Sequence, residues 1–127
     1  MIGLYVNNNT EERFAFQLVC GLKTIETRTK RAAKAFLNSG VKVGQRIAII
    51  ARGKVYGYAT FDGVKEYPTE AAFRADEGQH KVKPGSAFDF DEKKGKVGLM
   101  FSDPKTKTLK DRDIVVRRTH GYTYTEI

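Results

Sequence analysis

The sequence has 127 residues, a net charge of +8, 30% charged and 40% hydrophobic residues, and a single cysteine, Cys20. A chain of this length is expected to form one domain over residues 1–127, with a core that needs no disulfide. The N-terminus lacks the features of a signal peptide, and no stretch reaches the roughly 18 apolar residues of a membrane span. These features argue against a disulfide-framed secreted protein and a membrane protein, and we expect a cytoplasmic location.

Positive charge is distributed unevenly along the chain. Residues 21–54 contain nine Lys or Arg side chains and one acid, and residues 93–118 contain nine against three acids. The intervening residues 55–92 carry more acids than bases. Segregated positive charge favours a polyanionic partner, most simply nucleic acid. Lysine-rich surfaces that serve solubility alone are the alternative.

The first part of the chain predicts a strand, a helix and a second strand. Residues 2–6 form a short apolar run, and Asn9 followed by Glu12 resembles a capping box at a helix start. Gly21 suits the left-handed position that ends a helix. Residues 24–28 then have the composition of a strand.

Further short elements follow, separated by turn residues. Helices are predicted over 32–37 and 68–77, and strands over 47–51, 55–61, 97–101, 113–117 and 122–127. The segment 79–94 is irregular, and Phe88 and Phe90 are expected to attach it to the core. Tyr56 and Tyr58 are expected to share one face of their strand. Together these elements predict an α+β fold with about six strands and two or three short helices.

The most distinctive stretch runs from Gly21 to Arg28. Alternate side chains of a strand share a face, so Glu26 and Arg28 should be neighbours, and Lys23 can reach them from the strand entrance. We expect a partly buried Glu26–Arg28 pair, with the Lys23 ammonium at the mouth of a cleft. A solvated strand face with a weak surface ion pair is the alternative interpretation.

The pattern G-x-K-x-x-E-x-R after a helix resembles the signature of the ASCH domain, a family in the PUA-like group of small β-barrels. Residues 41–47, 54–61 and 99–124 also resemble later strands of that family. The resemblance implies a PUA-like mixed β-barrel. It also implies an RNA- or nucleotide-binding module with a charged cleft at Gly21–Arg28.

The same resemblance is also compatible with an enzymatic function. Some ASCH-like proteins are amidohydrolases acting on acetylated cytidine, with a lysine in this motif, a threonine where this chain has Glu26, and a glutamate on a later helix. Lys23 matches and Glu26 does not, although Thr24 could replace the threonine, and Asp76 or Glu77 could be the later acid. A small hydrolase acting on a modified nucleoside or on RNA, with Lys23 and Glu26 as catalytic candidates, is therefore one alternative. A protein-interaction module of a regulatory complex is another.

Candidate ligand-binding residues combine cations of the basic segments with an aromatic side chain that could stack on a base. They are Lys23, Glu26, Arg28, Arg31, Lys54, Tyr56 and Arg117. The two histidines, His80 and His120, are far apart in the sequence, and we predict no metal site and no cofactor. The sequence does not indicate an oligomeric state.

Overall fold

A computed structural model describes residues 1–107 and 123–126. The strands are β1 (Ile2–Tyr5), β2 (Ile25–Arg28), β3 (Arg46–Ala51), β4 (Lys54–Tyr67), β5 (Lys96–Thr106) and β6 (Tyr124–Glu126). The helices are α1 (Phe14–Cys20), α2 (Lys30–Leu37), α3 (Glu70–Ala75) and α4 (Glu77–His80). Among the residues that the structure describes, the predicted α+β class with about six strands is confirmed. The helices of the described residues exceed the predicted number because the segment expected to be one helix is divided at Asp76 into α3 and α4.

All six strands belong to one mixed sheet with the order β2–β5–β4–β3–β1–β6. β1 and β3 are parallel, and the other neighbours are antiparallel. Within residues 1–107 and 123–126, β2 and β6 are not paired with each other, so the hydrogen bonds do not close the sheet into a barrel. No helix in these ranges is long and apolar enough to span a membrane.

β3 is buried on both faces, as its continuous apolar run indicates. Ile47 and Ile49 belong to the main core, whereas Ala48 and Ile50 belong to a smaller cluster on the other face. The β3–β4 register shifts between Ile49 and Ile50. Because of this irregularity, Tyr56 packs against the main core and Tyr58 against the smaller cluster. The prediction that these two tyrosines share a face is therefore wrong.

The entry and exit of α1 fix the position of the motif. Asn9 Oδ1 accepts from the backbone N–H of Glu12 at 2.7 Å, but this bond closes a turn, and the helix itself begins at Phe14. Gly21 ends the helix with φ 81°, as predicted. The backbone N–H of Lys23 then donates to the Gln17 carbonyl at 3.1 Å, which holds the start of the motif against α1.

Other boundaries differ from the sequence prediction. β5 continues through Pro104 to Thr106, where a break was expected, because the long β4 keeps pairing with it as far as Gly57. α2 begins at Lys30 instead of Ala32, since the Thr29 hydroxyl caps its first turn. The strand predicted over 113–117 lies outside the described residues.

The segment 81–95 is largely irregular, as predicted, and two aromatic contacts attach it to the core. Phe88 packs edge-on against Phe14 at 5.5 Å between ring centroids, and Phe90 lies 5.9 Å from Phe73. These contacts place the segment beside α1 and α3, where it forms one wall of the site described next.

Candidate functional site

Lys23 is buried beneath α1, with its side chain 0% exposed. Its ammonium lies 3.3 Å from Glu26 Oε1, donates to the His80 carbonyl, and sits 4.1 Å from the centroid of the Phe14 ring. The expectation that this ammonium lies at the mouth of a cleft is therefore wrong. Lys23 instead connects three elements, namely α1 through Phe14, β2 through Glu26 and α4 through His80.

Glu26 is shared between two cations. Arg28 Nε and Nη2 lie 3.2 and 3.0 Å from Glu26 Oε2, while Oε1 faces Lys23. The Arg28 guanidinium also donates to the Tyr5 carbonyl. The side chains of Glu26 and Arg28 are 6% and 16% exposed, so the predicted partly buried pair is confirmed.

The sheet register explains why this pair is buried. Glu26 lies opposite Leu99 and Arg28 opposite Val97. Residues directly opposite in an antiparallel pair share a face, and both β5 residues belong to the main core. The charged side chains of β2 therefore point towards the core, where a carboxylate has to be paired.

Burial dominates the electrostatics of this cluster. It lowers the pKa of the Lys23 ammonium, although the neighbouring Glu26 carboxylate opposes the change. Burial also lowers the pKa of Lys96, again opposed by Glu26. Lys23 and Arg28 thus share one carboxylate as their counter-charge, whereas the charge of Lys96 is compensated by both Glu26 and Asp91.

His80 has a structural role in the same region. Its Nδ1 accepts from the Val82 backbone N–H at 2.9 Å, so Nε2 carries the proton that it donates to the Phe73 carbonyl at 2.7 Å. The ring stacks on Phe73 with 4.1 Å between centroids, and burial lowers its pKa. His80 is therefore a neutral core side chain that fixes the end of α4, where its carbonyl receives Lys23.

A cavity of about 490 Å³ lies between α1, α4 and the segment 81–95, and we call it the α1–α4 pocket. Its lining includes Glu12, Gln17, Glu77, Lys81, Lys83 and Ser86. Three of these residues carry a buried oxygen that has no hydrogen-bond partner among the described residues, namely Glu12 Oε2, Gln17 Oε1 and Ser86 Oγ. Because these oxygens expose almost no surface, the cavity is a candidate binding site on account of its volume and its charged lining.

Solved structures with the same architecture come from Zymomonas mobilis. The ASCH protein of that organism matches with a TM-score of 0.68 and 14% identity over 99% of this chain and 86% of that one. Its serine-to-alanine variant matches with a TM-score of 0.67 and 17% identity over 99% and 87% of the two chains. The chain has the ASCH fold. No protein-family model matches it, and no curated protein matches it by sequence.

Within this ASCH fold, the two acids proposed for a later helix occupy different environments. Glu77 lines the α1–α4 pocket and binds Arg74 at 2.9 Å. Asp76 Oδ2 instead lies 2.7 Å from Lys65 Nζ and accepts from the Tyr67 hydroxyl at 2.7 Å. Of the two, Glu77 is therefore the acid placed to meet a ligand in the pocket.

The other predicted site residues do not line this pocket. Thr24 is exposed just before β2, and its backbone N–H donates to the Gln79 carbonyl. Arg31 is exposed in α2, Lys54 is exposed at the start of β4, and Tyr56 packs on the core. Arg117 and His120 lie outside the described residues. Among the described residues, no three His, Cys, Asp or Glu side chains come together as metal ligands.

The polar residues of the α1–α4 pocket were not singled out from the sequence. Gln17 is the one polar residue within the helical sequence FAFQLVC, and this interruption of an apolar stripe was the available signal. Ser86 and Lys83 lie in an irregular segment that has no periodicity to indicate where their side chains point. Only the fold brings them next to α1.

The Tyr67–Asp76 contact gives a pH-dependent prediction. Burial and the hydrogen bond to Asp76 raise the pKa of Tyr67, so above pH 10 the folded protein retains a proton that the unfolded chain releases. This contribution to stability is complete below pH 10 and is lost as the pH rises further. Tyr67→Phe should cost roughly 1.5 kcal/mol at pH 8 and less at pH 11. Urea unfolding at both pH values measures the difference, and an equal cost at both would contradict it.

Proposed function

We propose that the chain acts as one ASCH-type domain that binds a nucleotide unit, either free or within single-stranded RNA, in the α1–α4 pocket. The observation that carries this proposal is a cavity of about 490 Å³ whose lining includes two lysines, Lys81 and Lys83. The cavity volume lies in the range of small-molecule sites.

Two lysines of the lining supply the charge that a phosphate requires. Lys81 is half-buried and Lys83 is exposed, and both lie in the wall opposite α1. A lysine ammonium bound to a phosphate forms a charge-assisted hydrogen bond, which is stronger than a neutral one. The positive charge of residues 21–54 and 93–118 supports the same ligand class, because it attracts polyanions over a longer range.

In this proposal, the predicted motif acts mainly by positioning the walls of the pocket. The Lys23 backbone binds the Gln17 carbonyl, and its ammonium binds the carbonyl of His80 at the end of α4. The two walls formed by α1 and α4 are thereby both connected to Lys23, which in turn binds Glu26 of β2. A preorganised cavity binds its ligand with a smaller entropic cost.

A hydrolase acting on a modified nucleoside is the second candidate function. Glu77 lines the pocket, where its carboxylate could act as a general acid or base on a bound substrate. Release of acetate from acetylcytidine, abolished in Glu77→Gln, would support this function. The binding function ranks first because the Lys23 ammonium is occupied by Glu26, His80 and Phe14.

The binding proposal predicts a salt-dependent affinity for RNA. Nucleoside monophosphates and a ten-nucleotide single-stranded RNA should be titrated by calorimetry at low and moderate salt. The slope of the logarithm of the RNA binding constant against the logarithm of the salt concentration should become more negative by about 0.7 for each phosphate that the protein contacts. Lys81→Gln/Lys83→Gln should weaken RNA binding by about tenfold or more and remove roughly 1.4 from the slope.

A matched control has the same net charge as Lys81→Gln/Lys83→Gln but loses its two lysines outside the pocket. Lys34→Gln/Lys42→Gln removes two exposed lysines that do not line the pocket and should change affinity much less. Equal effects of the two double variants would show that charge alone attracts RNA. Affinity that does not change with salt would refute the electrostatic part of the proposal. Binding of RNA but not of monophosphates would identify the strand as the ligand.

A further inference from the structure

We propose that a second cavity of the protein binds a backbone phosphate of RNA, so that a strand occupies two sites whereas a mononucleotide occupies one. This cavity has a volume of about 330 Å³ and is lined by Lys30, residues 67–70, Phe90 and residues 92–95. We call it the α2–α3 cavity, because the first residues of these two helices lie in its lining. The inference rests on the proposed function for the class of ligand and adds a separate site that holds the strand.

Lysines outnumber acids in the lining of the α2–α3 cavity. Lys30, Lys93 and Lys94 are all exposed, and none of them forms an ion pair with any residue that the structure describes. The acids of the lining are Glu70 and Glu92. Glu70 lies in the first turn of α3, where the positive end of the helix favours its charge. Three ammonium groups are therefore available to an anion that enters the cavity.

Two of the three lysines lie in a turn whose main chain is already fixed. Asp91 Oδ1 accepts from the backbone N–H groups of Lys93 and Lys94 at 2.9 and 3.4 Å. The Gly95 N–H donates to the Asp91 carbonyl at 2.8 Å and closes the turn. Because these bonds order the main chain before any ligand arrives, binding a phosphate requires the ordering of side chains only.

The third lysine reaches this turn because residue 95 is a glycine. A Cβ atom on Gly95 would lie 2.7 Å from Lys30 Cε and 3.5 Å from Lys30 Nζ. Gly95 also has a φ of 65°, which a residue with a side chain rarely adopts. The end of the Lys30 side chain therefore lies against the main chain of the turn, and α2 adds its cation to those of Lys93 and Lys94.

The α2–α3 cavity and the α1–α4 pocket share the segment 81–95 as a wall. Lys81 and Lys83 line the α1–α4 pocket, and residues 92–95 at the other end of the segment line the α2–α3 cavity. A strand that follows this segment meets lysines at both ends, and each phosphate that they neutralise releases counterions. Once one nucleotide is bound, the second contact is intramolecular, so a strand should bind more tightly than a monophosphate.

Lys93→Gln/Lys94→Gln tests the second site, because it removes two cations and keeps the backbone bonds to Asp91. Calorimetric titrations of the full chain should use a ten-nucleotide single-stranded RNA and, separately, nucleoside monophosphates. RNA binding should weaken by about tenfold or more, and its salt slope should become less negative by about 1.4. Monophosphate affinity should stay unchanged. Lys30→Met removes the third cation alone and should make the RNA slope less negative by about 0.7.

Lys34→Gln/Lys42→Gln is the control of equal charge, since both lysines are exposed and lie outside the lining of the α2–α3 cavity. It should change RNA affinity much less than Lys93→Gln/Lys94→Gln does. Equal effects of the two double variants on RNA, or an equal loss of RNA and monophosphate affinity in Lys93→Gln/Lys94→Gln, would overturn the inference while the proposed function stands. If the wild type binds neither RNA nor any monophosphate, the proposed function fails and the inference fails with it.

Discussion

Glu26→Gln is expected to lower the free energy of unfolding by about 3–5 kcal/mol, the largest effect of any single substitution in the motif. The reason is charge balance, since Lys23 and Arg28 both bind this carboxylate and Lys96 is also stabilised by it. Replacing the carboxylate by an amide leaves buried cations without their shared counter-charge. Removing Lys23 or Arg28 alone would instead leave Glu26 paired with the other of these two cations.

Urea unfolding followed by far-ultraviolet circular dichroism measures this effect. Glu66→Gln is the matched control, because Glu66 is an exposed residue of β4 and its loss should change stability by less than about 0.5 kcal/mol. Glu26→Gln/Lys23→Met should be more stable than Glu26→Gln, since one uncompensated cation is removed with the anion. A double variant less stable than Glu26→Gln would contradict the charge-balance argument.

Features that depend on local geometry could be predicted from the sequence. Gly21 ends α1 because a left-handed residue is needed there, and glycine adopts it at little cost. Glu26 and Arg28 meet because the strand period is two, whatever packs around them. The continuous apolar run of β3 likewise indicated burial on both faces, and the two clusters on β3 confirm it.

Features that depend on distant residues could not be predicted. The burial of Lys23 requires Phe14 from α1 and the His80 carbonyl from 57 residues further along the chain. The opposite packing of Tyr56 and Tyr58 requires an irregular register, which Gly57 between them permits but does not by itself specify. The sequence around a lysine does not show whether its side chain is buried when the residues that cover the side chain come from distant parts of the chain.

The buried position of Lys23 changes how a charged motif can serve a ligand. A cation at a cleft mouth would contribute its charge directly, and its loss would affect binding alone. A buried cation that ties Phe14, Glu26 and His80 together contributes through the geometry of the walls that it holds. In the proposed function, direct contacts with the ligand fall to residues outside the motif, which in the α1–α4 pocket are Lys81 and Lys83.

Lys23→Met should lower the free energy of unfolding by about 3 kcal/mol. Methionine keeps the apolar stem but loses the ammonium, so the His80 carbonyl and Glu26 Oε1 lose their partner. Glu26 retains Arg28, which makes the cost smaller than that of Glu26→Gln. Lys34→Met, at an exposed position of α2, should cost less than about 0.5 kcal/mol in the same urea titration. Equal stability of Lys23→Met and Lys34→Met would contradict the buried position.

The stability difference between wild type and Lys23→Met should also widen as the pH rises towards 10. Burial lowers the pKa of Lys23 in the folded protein, whereas the unfolded chain titrates at the ordinary lysine value of about 10.4. Between these two values the unfolded state binds more protons, so the stability of the wild type increases with pH. Lys23→Met lacks this contribution, while Tyr67 titrates in both proteins and cancels in the difference. Unfolding titrations at pH 7, 8.5 and 10 measure the trend, and a difference that narrows with pH would show that Glu26 outweighs burial at Lys23.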